Sequence, residues 1–212
     1  MLINEIFKSI SGESWQAGYP AIFIRAFGCP LSCTYCDTEY SCKGDDFKDM
    51  TISEILDKVQ ELGGRRVIFT GVEPLIQKDA TELVQTLSDN GYIVEIETCG
   101  AVNFDSVRDI PNVYITMDWK SKSSGMEDRM LAENLNKLRE VDVLKFVVSS
   151  EEDMDTMTKI AAMTKAQCFV SPIFGDIEPR QIVEYLMSHN LNNIRFQLQL
   201  HKFVWPVDMR GV

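Results

Sequence analysis

Short apolar runs rich in β-branched and aromatic residues recur along the chain at 21–27 (AIFIRAF), 66–70 (RVIFT), 92–98 (YIVEIET), 113–117 (VYITM), 143–148 (VLKFVV), 167–171 (QCFVS) and 194–198 (IRFQL). Their length and their polar or turn-forming flanks predict β-strands. Between most of them the apolar positions change to helical spacing. In TISEILDKVQEL, Ile52, Ile55, Leu56, Val59 and Leu62 share a face, and Thr51 with Glu54 forms a capping box. Ala80, Leu83, Val84 and Leu87 repeat the spacing ahead of Gly91 at a C′ position, and Met154, Met157, Ile160 and Ala161 repeat it again. A further helix opens at Pro179 and carries Ile182, Val183 and Leu186, and residues 127–139 are also expected to be helical.

Strands alternating with helical crossovers imply a parallel sheet, because a parallel neighbour needs a long connection. The repeats are too few for a closed eight-unit barrel. They predict an α/β fold, an open partial (β/α) barrel of about six parallel strands, with chemistry at the C-terminal strand ends. Those ends read GCPLSCTYCDT, TGVEPL, ETCG, MDWK, VVSS and SPIFG.

Composition adds limits. At 212 residues, 45% of them hydrophobic, one domain spanning 1–212 is expected. No run of about 18 apolar residues appears and the first residues lack a secretion signal, so a cytoplasmic protein without a membrane span is expected. A formal charge of −11 argues against nucleic acid as a partner and favours a small molecule. In a reducing compartment the six cysteines read as metal ligands, reactive thiols or buried small hydrophobes.

Three of the six sit together as Cys29-x3-Cys33-x2-Cys36 in the loop 28–38. A structural zinc site normally has four protein ligands, and no nearby Cys or His pair supplies the fourth. Three thiolates on a four-iron cluster would leave one iron free for another ligand.

This loop, with an aromatic before its third cysteine, resembles the radical S-adenosylmethionine superfamily, and GVEPL at 71–75 is similar to that superfamily's Gly-Gly-Glu-Pro motif. The resemblance implies a [4Fe–4S] cluster on Cys29, Cys33 and Cys36, S-adenosylmethionine chelated to its free iron, and cleavage of that molecule to a 5′-deoxyadenosyl radical. Tyr35, Cys36, Asp37 and Val72 would lie along the cofactor, with Glu97 also in contact.

A closer likeness is to the 7-carboxy-7-deazaguanine synthase family. It rests on NEIFKSISGES at the start, on PAIFIRAFGCPLSCTYCDT into the cluster loop, and on LQLHKFVWP within the tail 197–212. That family contracts the ring of 6-carboxy-5,6,7,8-tetrahydropterin, releasing ammonia, on the route to queuosine and other deazapurines. The resemblance implies a substrate-wrapping segment at 8–14 with Ile10, Ser11 and Gly12 at the pterin, Arg25 and Thr70 at the substrate, and Mg²⁺ on Thr38. Asp118, Trp119 and Lys120 stand where the family has Ser-Pro-Lys beside S-adenosylmethionine, and Ser171 is a further cofactor contact. A homodimer and an electron donor such as flavodoxin or ferredoxin are implied as well.

Two positions depart from the family pattern: Val72 and Ser14 each replace a glycine. A β-branched Val72 requires negative φ. Among the other thiols, Cys168 is expected in the core, Cys42 in a polar loop, and Cys99, which follows the third strand where it could line the cavity, is expected to be a packing thiol. Two alternatives stay open on sequence: a glycyl-radical-activating enzyme of the same superfamily, and a non-catalytic metal-binding module.

Overall fold

The computed structural model describes residues 1–207 and 209–212, so Asp208 in the 197–212 tail lies outside the described residues. The strands are β1 (Leu2–Ile10), β2 (Pro20–Ala26), β3 (Lys48–Asp49), β4 (Arg66–Gly71), β5 (Ile93–Thr98), β6 (Val113–Trp119), β7 (Val143–Val148), β8 (Gln167–Pro172) and β9 (Ile194–Phe196). They form a nine-stranded sheet ordered β3-β1-β2-β4-β5-β6-β7-β8-β9. From β2 to β9 every pairing is parallel, seven strands in all, while β1 runs antiparallel to both β2 and β3. The helices are α1 (Ile52–Leu62), α2 (Ala80–Asp89), α3 (Asp105–Arg108), α4 (Glu151–Ala161), α5 (Pro179–Ser188) and α6 (His201–Val204). The α/β partial barrel expected from the alternation is therefore present.

One expectation needs correction. Residues 127–139 form no α-helix; they make short 3₁₀ turns at Glu127–Arg129 and Ala132–Asn136. The buried Asn134 amide donates to the carbonyls of Gly100 and Val102, and Leu131 N–H bonds to Gly100 O, so tertiary anchoring overrides helical spacing. The parallel strands number seven, in keeping with the expected count of about six, and the antiparallel β1 adds to them. Its alternation is blurred because both of its faces are partly solvated, and it takes up residues 8–10 of the 8–14 segment.

The parallel strands are buried on both faces, but the two faces differ in chemistry. Val67, Phe69, Val94, Ile96, Ile115, Met117, Leu144, Phe146 and Val170 join one core with the helices. The residues between them, which include Arg25, Thr70, Glu95, Glu97, Thr116, Asp118, Lys145 and Ser171, point to the other, concave face, because successive strand side chains alternate. Helix α1 closes its N-terminus as its sequence predicts, with Thr51 N–H donating to Glu54 Oε2 and Glu54 N–H to Thr51 Oγ1.

The loop 11–19 joins β1 to the start of β2 and so enters the barrel from the N-terminal end of the parallel strands. There it meets the tail: Leu200 N–H donates to Gly12 O at 3.0 Å, and Gln197 bonds Ser14 through both its amide oxygen (2.6 Å) and its amide nitrogen (3.0 Å).

Candidate active site

At the C-terminal strand ends the concave face opens into a deep cavity. Its lining includes Ile10, Gly12, Arg25, Cys29, Cys33, Tyr35, Cys36, Asp37, Thr38, Thr70, Val72, Glu97, Asp118 and Lys120. Ser11, Trp119 and Ser171 are placed differently. Ser11 is buried behind the wall with its hydroxyl on Glu13 O, Trp119 packs in the core on the helix side, and Ser171 is buried with its hydroxyl 3.3 Å from Glu13 Oε1.

The three loop thiols are half-buried at one side of the cavity. Their loop is tied down at its start: Gly28 N–H donates to Ser41 O at 2.8 Å, and Gly28 O accepts from Glu73 N–H at 3.1 Å. Glu73, the acid of GVEPL, is fully buried and accepts from Leu75 N–H, Thr98 Oγ1 and Cys99 N–H, so it knits the second and third strand ends together. Burial pushes its carboxyl up, against those hydrogen bonds. Cys99 is buried, as a packing thiol would be, yet it also reaches the cavity, and its thiol near Cys29 lowers the Cys29 thiol to about 7. Cys42 lies beside Cys36.

Gly71, not residue 72, is the glycine that this turn requires. Its φ is 146°, and a Cβ there would overlap the backbone O and N of Ala26 on β2. Among the described residues the non-glycine positions at positive φ are Ser14, Asn112 and Asn190, so Val72 sits in ordinary backbone. Gly71→Ala is expected to cost about 3 kcal/mol, because backbone on a neighbouring strand cannot give way. Urea midpoints would measure it; a loss under about 0.5 kcal/mol would contradict the close approach.

The charged groups of the cavity are paired. Arg25 Nε donates to Glu5 Oε1 at 2.7 Å, and Tyr40 holds the same oxygen at 2.9 Å. Lys120 Nζ lies 2.8 Å from Asp118 Oδ2, which Lys145 approaches at 3.7 Å; Lys145 in turn bonds Glu13 Oε2 at 3.1 Å. Lys202 bonds Asp37 at 3.3 Å, and Thr70 Oγ1 donates to Glu97 Oε2 at 2.7 Å, fixing that carboxylate. Burial opposes the charge on Lys120 and Lys145, but the facing acids outweigh it and hold both ammonium groups above their ordinary range. The imidazole of His201 occupies the space that a Cβ on Gly12 would need.

Sequence reasoning gave no site role to Glu13, Lys145 or Val212, and marked Gln199, His201 and Lys202 only as part of a family-like tail without a place in the lining. Lys145 had a visible signal, a lone charge inside the otherwise apolar VLKFVV.

Residues 23–140 match the family model described as the Radical SAM superfamily. The chain is 40% identical to the 7-carboxy-7-deazaguanine synthase of Clostridium acetobutylicum, over 99% of this chain and 98% of that protein. It is 43% identical to the one from Methanospirillum hungatei, over 96% of this chain and 85% of that protein. The crystal structure of QueE from Escherichia coli superposes with a TM-score of 0.77, covering 94% of each chain at 26% identity. The chain belongs to the 7-carboxy-7-deazaguanine synthase family of the radical SAM superfamily. Membership brings a [4Fe–4S] cluster and S-adenosylmethionine, and the cavity fits both. Among the described residues no three His, Cys, Asp or Glu side chains converge tightly enough for a single metal ion. Three thiols spread along a loop suit a polynuclear cluster better. Tyr35 OH and Asp118 Oδ1 are buried without a partner, a donor and an acceptor left for a polar ligand beside those thiols. Among the described residues no helix is long and apolar enough to cross a membrane.

Proposed function

We propose that the chain catalyses the reaction of its family, the ring contraction of 6-carboxy-5,6,7,8-tetrahydropterin to 7-carboxy-7-deazaguanine with release of ammonia, in the cytoplasm. The observation that supports it most is the build of the cavity beside the thiol loop. Ile10, Gly12 and Glu13 and, from the tail, Gln199, His201 and Lys202 line it; they belong to the two segments outside the cluster loop where the family likeness lies, and these segments are hydrogen-bonded to each other.

In this reading Cys29, Cys33 and Cys36 hold the cluster, and Tyr35, Asp37, Val72, Glu97 and the 118–120 strand end flank S-adenosylmethionine. The cluster and S-adenosylmethionine together supply hydrogen-atom abstraction when bound. The chain's own residues do the rest by placement. Arg25, its Nε anchored on Glu5, directs its remaining donors toward the substrate carboxylate. Ile10 and Gly12 line the pterin side of the cavity, Ser11 supports them from behind with its N–H and C=O bonded to Tyr19 and Gly18, and Gly12 allows the tail to close in with His201.

Mg²⁺ is assigned to Thr38, whose half-buried hydroxyl has a sulfur, Cys36 Sγ at 3.8 Å, as its side-chain neighbour. A single protein oxygen completed by waters and substrate suits an ion that sheds its hydration reluctantly. The enzyme works as a homodimer fed by a flavodoxin- or ferredoxin-class donor; the exposed apolar Phe203, Val204 and Val207 of the tail support a contact with a second copy.

Anaerobic reconstituted protein supplied with dithionite, S-adenosylmethionine, Mg²⁺ and the carboxytetrahydropterin should release 7-carboxy-7-deazaguanine, identified by mass spectrometry. Formation of 5′-deoxyadenosine with the pterin intact would refute the substrate. Thr38→Ala should lower turnover at limiting Mg²⁺ about tenfold or more, the scale on which metal-shell changes act. Unchanged magnesium stimulation would remove Thr38 as the ligand.

A further inference from the structure

Beneath the cavity lies a buried polar cluster to which the reaction gives no role. Glu95, on the concave face of β5, is fully buried, and so are Gln16 and Thr116. Gln16 Nε2 donates to Glu95 Oε2 at 2.9 Å, and Thr116 Oγ1 donates to Glu95 Oε1 at 2.5 Å. Ser14 Oγ lies 2.7 Å from Thr116 Oγ1 and completes the chain of hydroxyls. On the far side Arg66 Nη1 donates to Gln16 Oε1 at 2.9 Å, with its guanidinium over the rings of Tyr19 and Trp15. Gln16 and Ser14, which flank the acid and its threonine, belong to the loop 11–19, and Arg66 opens β4. The middle of the network belongs to β5 and β6.

Packing alone does not call for such an arrangement. A buried acid with no cation bonded to it is costly, and apolar side chains of similar volume would fill the same space at less expense. Burial first, and the nearby Glu97 second, push the Glu95 carboxyl up to about 7. What the acid does provide is direction: two acceptor oxygens fix two donors, one on the strand wall and one on the loop, in a single geometry.

Ser14 needs that fixing. It stands at φ 63°, a left-handed conformation unfavourable to a residue with a Cβ, and an anchored side chain offsets the strain. The residues just before it, Gly12 and Glu13, line the cavity, with Glu13 on Lys145. We infer that Glu95 is a positioning residue that, through Gln16, Thr116 and Ser14, holds the 11–19 loop as the floor of the substrate cavity and so sets the affinity for substrate without touching it. This rests on the reading of the cavity as the pterin site.

Glu95→Gln keeps the shape but turns one acceptor into a donor facing donors. In reconstituted holoenzyme it should raise the KM for the carboxytetrahydropterin about tenfold, with kcat and substrate-free formation of 5′-deoxyadenosine within about twofold, one lost charge-assisted bond being worth roughly that factor. Hydrogen exchange of the amides of 11–19 in the same protein, without substrate, should quicken by a similar factor while the melting temperature holds. Unchanged KM with unchanged exchange would overturn the inference, as would a fall in kcat and melting temperature with KM constant. If Glu95→Gln does not fold, Gln16→Leu breaks the same link from the loop side and is judged by the same readouts. Wild-type protein inert toward the pterin would sink the substrate reading alone; the exchange measurement would still decide the role of Glu95.

Discussion

Changing any one of Cys29, Cys33 and Cys36 to Ala should leave a protein that folds but holds little iron and sulfide after reconstitution. Turnover should fall by more than about a hundredfold, since even residues that only support a metal ligand cost 10- to 100-fold. Folding should survive because the three thiols are half-buried on a loop at the cavity wall and stand outside the hydrophobic core. The comparison that sharpens the test is Cys42→Ala. The fold brings Cys42 beside Cys36, although the sequence gives it no ligand spacing. If the cluster rests on the three loop thiolates, this variant keeps wild-type iron content. If Cys42→Ala empties the site while one of the three retains full iron and sulfide, the ligand set is wrong.

The parallel alternation, the capped α1 and the thiol loop were legible because each depends on short-range pattern. Capping needs only Thr51 and Glu54, and the loop needs only its own spacing. What sequence could not supply was depth. Glu95, Thr116, Asp118 and Lys145 are polar members of otherwise apolar strands, and only closure of the sheet turns them inward over one cavity. Segment 127–139 has helical spacing, but Asn134 spends its amide on two carbonyls of another loop, a partner no local pattern announces. The two departures from the family also separate only in three dimensions. Val72 lies in ordinary backbone and asks for no compensation, whereas Ser14 does occupy a glycine-like conformation and has its side chain tied to Thr116.

Lys145→Met should be the most damaging single change outside the cluster loop. Asp118 and Lys145 are register partners on β6 and β7, and Glu13 rises from the floor loop to the same ammonium. The lysine and Glu13 side chains are each about 11% exposed, so water cannot replace the lost partner. Asp118 keeps Lys120 at 2.8 Å, but Glu13 is left with the Ser171 hydroxyl at 3.3 Å. Removing one member of a buried pair costs about 3–5 kcal/mol, which for a chain of this size lowers the melting temperature by roughly 10 °C. The methionine retains most of the hydrophobic stem, so the loss belongs to the charge and not to packing. Adding Glu13→Gln should therefore restore much of the stability, since it removes the stranded carboxylate, while substrate turnover stays low because the floor has lost the ion pair that holds it against β7. Iron and sulfide content should remain that of the wild type in both variants. Differential scanning calorimetry of the two singles and the double closes the cycle: additive losses would mean that Lys145 and Glu13 act independently, and the floor of the cavity would then need another anchor.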